Sequence, residues 1–190
     1  MKQETLYDIW SNRNPQWEKR YEDIFNKFTD YGRGNSSMRE DRGKIFGAGY
    51  ELFIIAFFIG LYYNERRKLT DNNQKRKTFG HQIKFWGNLD SVKGRKEYPE
   101  IRKYIFISLI ARTDIDYIAL DKGEITAQKA ASMLMQTMEE YANWGLHFIE
   151  DKIIDDPNYF YKETAFLEIF LAFNSSTIDS SNIDEPESLD

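Results

Sequence analysis

The stretch from Leu52 to Tyr63 reads LFIIAFFIGLYY, twelve residues that contain no charge. The rest of the chain is amphipathic or hydrophilic, so this stretch is the natural centre of a hydrophobic core. Its apolar residues do not alternate with polar ones, and the run is longer than a typical strand, which favours a buried helix. Its β-branched and aromatic side chains leave a buried strand open as an alternative.

The length of this apolar run argues against a membrane span. From residue 45 to residue 63 the one charged side chain is that of Glu51. The uncharged stretch would cover roughly 18 Å as a helix, whereas the hydrocarbon core of a bilayer is about 30 Å thick. The basic exit Arg66-Arg67-Lys68 would suit the cytoplasmic flank of an anchor, so a membrane-anchored factor that uses residues 45–63 is kept as an alternative. We expect a buried central helix and no membrane partner.

Length and composition indicate one globular domain. The chain has 190 residues, of which 41% are hydrophobic and 16% aromatic, enough for a sizeable core. It has no cysteine, which excludes disulfides, thiol nucleophiles and thiolate metal sites. The N-terminal sequence MKQETLYDIW lacks the apolar segment of a secretory signal. We therefore expect a cytoplasmic protein.

A helix is predicted on the N-terminal side of the apolar stretch. Asn14 can cap a helix, and Pro15 suits its first turn. A surface loop should follow this helix at residues 32–44, which contain glycine, serine and charged residues and almost nothing apolar. The apolar residues of the predicted helix recur with helical spacing: Trp17, Tyr21, Ile24, Phe25 and Phe28.

Two strong helices are predicted on the C-terminal side. Pro99 opens the first, whose wide apolar face reaches Ile110. Thr126 caps the second, whose apolar periodicity continues past Gly145 to Ile153. This pattern predicts either one helix with a close-packed glycine or two abutting helices.

Gly60 predicts a second close contact. It lies within the apolar stretch and is flanked by aromatic residues. A glycine in the interior of a helix lowers helix propensity, so a packing reason is expected for it. We expect tight packing of Gly60 against residues 99–112 or 126–149.

These elements predict an all-α fold, a single compact helical domain of about five or six helices. The helical domain should cover residues 1–173 and include a long basic connector at 64–98. Residues 174–190 contain serine and five acidic residues but no basic one. Such a composition cannot repay the entropy of ordering, so we predict a disordered acidic tail.

No motif for catalysis or cofactor binding is found. The two histidines, His81 and His147, do not belong to a spaced set of metal ligands. The adjacent carboxylates Glu139 and Glu140 should lie on a polar helix face, where solvation explains them. Glu51 should lie in the first turn of the apolar helix, where the helix dipole favours an anion. We predict no catalytic residue, no cofactor and no metal; an enzyme with a carboxylate and histidine site not visible in the sequence is kept as an alternative.

The charge distribution is the most informative chemical feature. Residues 64–103 contain twelve basic and five acidic side chains, a balance of +7, whereas the whole chain has a net charge of −5. Such segregation suits contact with an acidic protein surface or with a phosphate backbone, and the interleaved Phe79, Phe85 and Trp86 could stack on bases. The alternative is a solvated loop that balances the acidic helices. The predicted interaction residues are Arg66, Arg67, Lys75, Arg76, Lys77, Lys84, Trp86, Arg95 and Lys96.

Two stretches carry a resemblance to a known family. YELFIIAFFIGLYYNERRKL at 50–69 has an apolar helix that ends in glycine, two aromatics and an arginine-rich exit. EEYANWGLHFIEDKI at 139–153 has a Tyr-Ala-Asn-x-Gly-Leu core. In this order and in a chain of this size, they resemble the small accessory proteins of bacterial DNA phosphorothioation (Dnd-type) loci, the Dnd-associated protein 4 family. The resemblance implies a bacterial, cytoplasmic, helical protein encoded with DNA-modification or phage-defence machinery, and it implies no catalytic residue.

The sequence therefore predicts a non-enzymatic accessory or adaptor protein that binds a protein partner through the basic surface 64–103. A nucleic-acid-binding protein that uses the same surface is an alternative from another class.

Overall fold

The computed structural model describes residues 4–29, 46–88 and 96–171. The loop predicted at 32–44, the predicted interaction residue Arg95 and the acidic tail predicted at 174–190 lie outside these residues. The chain divides into two compact units: the first ends at Leu146 and the second begins at His147.

The described residues are mostly helical, and they also contain two short strands. Short 3₁₀ segments lie at Lys19–Tyr21, Asn73–Lys75, Ile83–Phe85 and Tyr159–Tyr161. In chain order the elements are α1 (Leu6–Ser11), β1 (Gln16–Glu18), α2 (Glu22–Phe28), α3 (Gly49–Tyr63), β2 (Arg76–Thr78), α4 (Ile101–Arg112), α5 (Tyr117–Asp121) and α6 (Ala127–Asp155).

The apolar stretch forms helix α3, as predicted, and the strand alternative is wrong. Ten of its fifteen residues are buried, from Gly49 to Gly60. The helix ends where Asn64 adopts a left-handed conformation, with φ of 55°, and its N–H donates to the carbonyls of Gly60 and Leu61. Asparagine tolerates this conformation better than most residues, so it stops the helix at the boundary between apolar and charged sequence. No helix among the described residues is long and apolar enough to cross a membrane.

Helices α3 and α6 approach each other at two glycines. A Cβ on Gly60 would lie 2.2 Å from the backbone oxygen of Tyr141, and a Cβ on Gly145 would lie 1.9 Å from that of Ala56. No side chain fits at such distances, so both glycines are required by the contact between backbones. The prediction of one continuous helix with a close-packed glycine is confirmed, as is the contact of Gly60 with residues 126–149.

The helix predicted from Pro15 is wrong over residues 16–21. These residues form β1 and a 3₁₀ turn, and the α-helix begins at Glu22. β1 pairs antiparallel with β2, with Trp17 opposite Lys77. The physical reason is tertiary: Trp17 lies 4.3 Å from the ring of Phe25 and 6.0 Å from that of Phe79, and burial of this aromatic cluster overrides local helical spacing.

The pairing of β1 with β2, called the β1–β2 ribbon below, corrects the all-α prediction. The described residues are mostly helical and also form a two-stranded sheet. The predicted core residues of the N-terminal segment are nevertheless buried: Trp17, Tyr21, Ile24, Phe25 and Phe28. The sequence pattern thus identified the buried side chains correctly, while the backbone that carries them is partly extended.

Side-chain caps hold the starts of several helices in place. Thr5 forms a capping box with Asp8 at the start of α1. The Asp116 side chain accepts from the N–H of Ala119 at the start of α5. Thr126 accepts from the N–H of Lys129 at 3.2 Å and so caps α6, as predicted. These bonds satisfy N–H groups that have no partner within a helix.

The second unit contains the end of α6, the 3₁₀ turn at Tyr159–Tyr161 and helical residues from 165 to 171. Phe160 is buried, and its ring lies 4.9 Å from that of Phe166. Lys152 lies over the rings of both Phe148 and Tyr159, at 5.6 Å from each. An aromatic cluster therefore organises this unit.

Candidate protein-interaction surface

Helix α4 has one buried face. Ile105 and Leu109, one turn apart, are fully buried. Phe106 lies 5.2 Å from the ring of Tyr7 and 5.4 Å from that of Trp10. These contacts fix the rotation of α4 about its axis, because a helix can bury only the side chains that point towards its neighbours.

The opposite face of α4 exposes apolar side chains. Tyr104 and Ile107 are each 63% exposed, and Ala111, one turn further, is also exposed. The spacing i, i+3, i+7 places all three on one stripe. We call this stripe, together with the exposed flanking cations Lys103 and Arg112, the α4 face.

A second helix lies beside α4 and also exposes an apolar side chain. The Tyr117 hydroxyl donates to the carbonyl of Ile110 at 3.1 Å, which holds the start of α5 against the C-terminal half of α4. Ile118 of α5 is 68% exposed. Scattered apolar residues are normal on a protein surface, whereas adjacent ones on rigid helices are typical of a docking site.

Arg66 joins the basic connector to the α4 face. Its guanidinium donates to the carbonyl of Arg112, the last residue of α4, and lies 4.7 Å from the ring of Tyr141. A cation at a helix C-terminus satisfies a carbonyl that has no partner within the helix and interacts favourably with the helix dipole. The predicted interaction residue Arg66 is therefore located at the C-terminal end of the α4 face.

The other predicted interaction residues are placed in different environments. Arg76 donates to the carbonyl of Thr70 and to the side chain of Gln16, and Lys77 forms an ion pair with Glu22. These two cations therefore hold the β1–β2 ribbon. The side chains that are exposed are those of Lys75, Lys84 and Lys96, and Arg67 is half-buried.

Trp86 is fully buried and forms part of the core. Its ring stacks on Tyr50 at 5.4 Å, and its Nε1 donates to the carbonyl of His81 at 3.3 Å. Phe79 is 3% exposed, so two of the three aromatics expected to stack on bases face the interior. Phe85 alone of the three is exposed, at 50%. The connector thus supplies core aromatics, which weakens the nucleic-acid alternative.

A buried polar cluster fixes the connector to α6. The Nδ2 of Asn143 lies 3.2 Å from the carbonyl oxygen of Arg67, 3.1 Å from that of Lys68 and 3.3 Å from the Glu18 carboxylate. The same carboxylate accepts from the N–H of Thr70 at 2.7 Å. Asn143 and Glu18 are 2% and 9% exposed, so these bonds are shielded from water and are costly to break.

Glu139 extends this cluster to β1. Its carboxylate accepts from the N–H of Gln16 at 2.8 Å. Burial raises the pKa of Glu139 to about 7; the Gln16 hydrogen bond and the Arg76 charge oppose this effect, and Glu140 adds to it. The expectation of a solvated Glu139–Glu140 pair is therefore wrong for Glu139, because β1 covers it. Sequence reasoning missed the cluster because its members are far apart along the chain.

Glu51 lies in the first turn of α3, as predicted, and is buried. It accepts from the Gly47 N–H at 2.7 Å and from the Tyr98 hydroxyl. Burial and the bond to Glu51 raise the pKa of Tyr98 above its usual range, so the hydroxyl stays protonated and acts as a donor. Beside this pair lies a mostly apolar cavity of about 260 Å³, lined by Phe46, Glu51, Ile54, Ile55, Tyr98 and Ile101.

The two histidines have separate surroundings. His81 is an exposed residue of the connector. His147 belongs to the second unit, where its ring nitrogens lie 3.4 Å from Glu150 and 3.5 Å from Asp151 on the same helix. Within residues 4–29, 46–88 and 96–171, no group of histidine and carboxylate side chains could hold a metal ion.

The chain matches no protein-family model, no curated protein and no solved structure. The resemblance to Dnd-associated proteins therefore stays a prediction. The proposed function rests on the exposed side chains of the α4 face.

Proposed function

We propose that the chain is a non-enzymatic accessory or adaptor protein that binds a protein partner through the α4 face. The observation that carries the proposal is the pair of large apolar side chains, Tyr104 and Ile107, each 63% exposed on a helix whose other face is fixed in the core. Exposing them to water is unfavourable, and a partner that covers them would regain that free energy.

The proposal moves the centre of the binding surface from the predicted region 64–103 to residues that follow it. Several cations of the connector serve the fold, whereas α4 presents a preformed apolar stripe that begins at Tyr104, directly after that region. A rigid surface loses little conformational entropy on binding, which favours docking on a helix over docking on a loop. Tyrosine is also enriched among the residues that contribute most to interface affinity.

The resemblance of residues 50–69 and 139–153 to accessory proteins of Dnd-type loci suggests where to look for the partner. We propose that the partner belongs to a bacterial DNA-modification or phage-defence complex.

The test is co-purification from the native host with matched variants. A tagged Tyr104→Ser/Ile107→Ser double variant should lose a partner that the wild type retains. The control is Ile154→Ser, since Ile154 is 70% exposed in the second unit. Truncating an interface anchor typically costs more than about 1 kcal/mol, so the double variant should weaken binding by about tenfold or more.

Two results would contradict the assignment of the surface. One is a partner that the double variant and the control retain equally. The other is a partner lost only with Leu167→Ser, since Leu167 is a 58% exposed residue of the second unit. In that case the docking surface is on the second unit and α4 is not part of it.

A further inference from the structure

We infer that the partner presents an acidic amphipathic segment to the α4 face, with apolar side chains over Tyr104 and Ile107 and carboxylates beside Lys103 and Arg112. This inference rests on the proposed function, because it gives the chemistry of the partner for the same surface.

The charges around the apolar stripe are the first argument. No acidic residue occurs between Ile101 and Thr113. Lys103 and Arg112 are exposed near opposite ends of the stripe, and the Arg66 guanidinium, bonded to the Arg112 carbonyl, adds a further cation at the C-terminal end. The stripe thus has an exposed cation near each end, with Glu100 and Asp114 just outside the helix, and these cations favour a partner of opposite sign.

The acidic neighbour of Lys103 can be displaced. Glu100 forms an ion pair with Lys103 at 2.8 Å, and both side chains are more than 60% exposed. Exposed pairs of this kind contribute little to stability, so a carboxylate of the partner can replace Glu100 at small cost. Lys103 therefore remains available to a partner although it has a neighbour within the helix.

Two other occupants fit less well. A second copy of the chain, docked face to face, would bring the same cations towards each other and repel. An anionic membrane surface would need a helix with a broad apolar face, whereas the α4 face offers three apolar residues. An acidic amphipathic segment, helical or extended, can cover the apolar stripe and place carboxylates beside the cations at its ends.

The test uses three synthetic helical peptides that share leucines at i, i+4 spacing and differ in their flanking residues: all glutamate, all glutamine or all lysine. Fluorescence anisotropy measures their binding to the full chain at low and at moderate salt. We expect the acidic peptide to bind about fivefold more tightly than the neutral one, the factor that two exposed ion pairs provide. The difference should shrink as salt is added.

Variants separate the two parts of the inference. Arg112→Gln should reduce the preference for the acidic peptide while the neutral peptide binds as before. Ile107→Ser should weaken binding of every peptide, and Ile154→Ser should weaken none. Because Ile107 is exposed, its serine variant is expected to fold, which an unchanged melting temperature would verify.

Each contrary result identifies what fails. Equal binding of the acidic and neutral peptides that still depends on Ile107 overturns the acidic partner and leaves the proposed function standing. If the peptides bind Ile107→Ser as tightly as the wild type, or if no peptide binds, both the inference and the use of the α4 face are overturned. Binding to vesicles of anionic lipid that is lost in Ile107→Ser overturns it in favour of a membrane surface.

Discussion

Substituting Gly145 by alanine should force α3 and α6 apart. The added methyl group would lie 1.9 Å from the backbone oxygen of Ala56. To reach even a tight contact, one helix must move by about 1 Å or more, and a well-packed interior resists such a shift. The obstacle is backbone, so no side-chain rotation can relieve it.

The expected loss of stability follows from two opposing effects. Overpacking of a core costs about 1–3 kcal/mol, and a clash with backbone belongs at the upper end of that range. Replacing glycine by alanine within a helix returns about 1 kcal/mol of helix propensity. The net destabilisation is therefore about 2 kcal/mol, which corresponds to a melting temperature lower by about 4–8 °C.

Thermal and urea unfolding followed by circular dichroism would measure this change. The matched control is Gly80→Ala, because a Cβ on Gly80 meets no atom within 4 Å. Gly60→Ala should resemble Gly145→Ala, since its methyl group would lie 2.2 Å from the Tyr141 oxygen. A Gly145→Ala protein as stable as the Gly80→Ala control, or more stable, would refute the proposed contact between α3 and α6.

Three further predictions concern side chains that the fold buries. Because the pKa of Glu139 is raised to about 7 in the folded state, its protonation stabilises the fold fully below about pH 4.5, and this contribution is lost as the pH rises through 7. Glu139→Gln cannot ionise, so its free energy of unfolding should rise relative to that of the wild type by on the order of 2 kcal/mol as the pH is raised from 5 to 8, measured by urea unfolding. The same relative rise in Glu140→Gln, or none in Glu139→Gln, would contradict this origin. Asn143→Ala should lower the free energy of unfolding by roughly 2–3 kcal/mol, since the buried acceptors lose their shared donor, and an unchanged urea midpoint would argue against the polar cluster. Trp86→Ala should cost about 3–5 kcal/mol as a core truncation, whereas Phe85→Ala should cost far less; equal effects would place Trp86 at the surface.

Much of the core could be predicted from the sequence because its signals are local. Twelve uncharged residues without alternation favoured a buried helix over a buried strand, and the glycines within strong helical patterns correctly predicted close contacts at Gly60 and Gly145. Likewise, the predicted cap Thr126 bonds to the N–H of Lys129, three positions away. Such interactions depend on neighbours along the chain, which a single sequence displays.

The ribbon could not be predicted because its pairing is distant in sequence. Trp17 lies opposite Lys77, and nothing near Trp17 in the sequence indicates a strand. The helical spacing of Trp17, Tyr21, Ile24 and Phe25 is real, but burial against residues from other elements decides the backbone conformation.

The position of the α4 face has a similar explanation. The apolar residues between Ile101 and Ile110 surround more of the helix than one neighbour can cover. The sequence shows this excess, and the excess is the signal that a second contact is needed. The packing of Phe106 against Tyr7 and Trp10 then determines that Tyr104 and Ile107 are the side chains left exposed.

The measurement that tests the central claim most directly is the affinity of the purified partner for three versions of the full chain. These are the wild type, Tyr104→Ser/Ile107→Ser and Ile154→Ser, compared by titration calorimetry at one salt concentration. Binding through the α4 face predicts that the double variant binds about tenfold or more weakly, while Ile154→Ser binds as the wild type does. Three affinities within about twofold of one another would contradict the account, because side chains at the centre of an interface cannot be removed without loss.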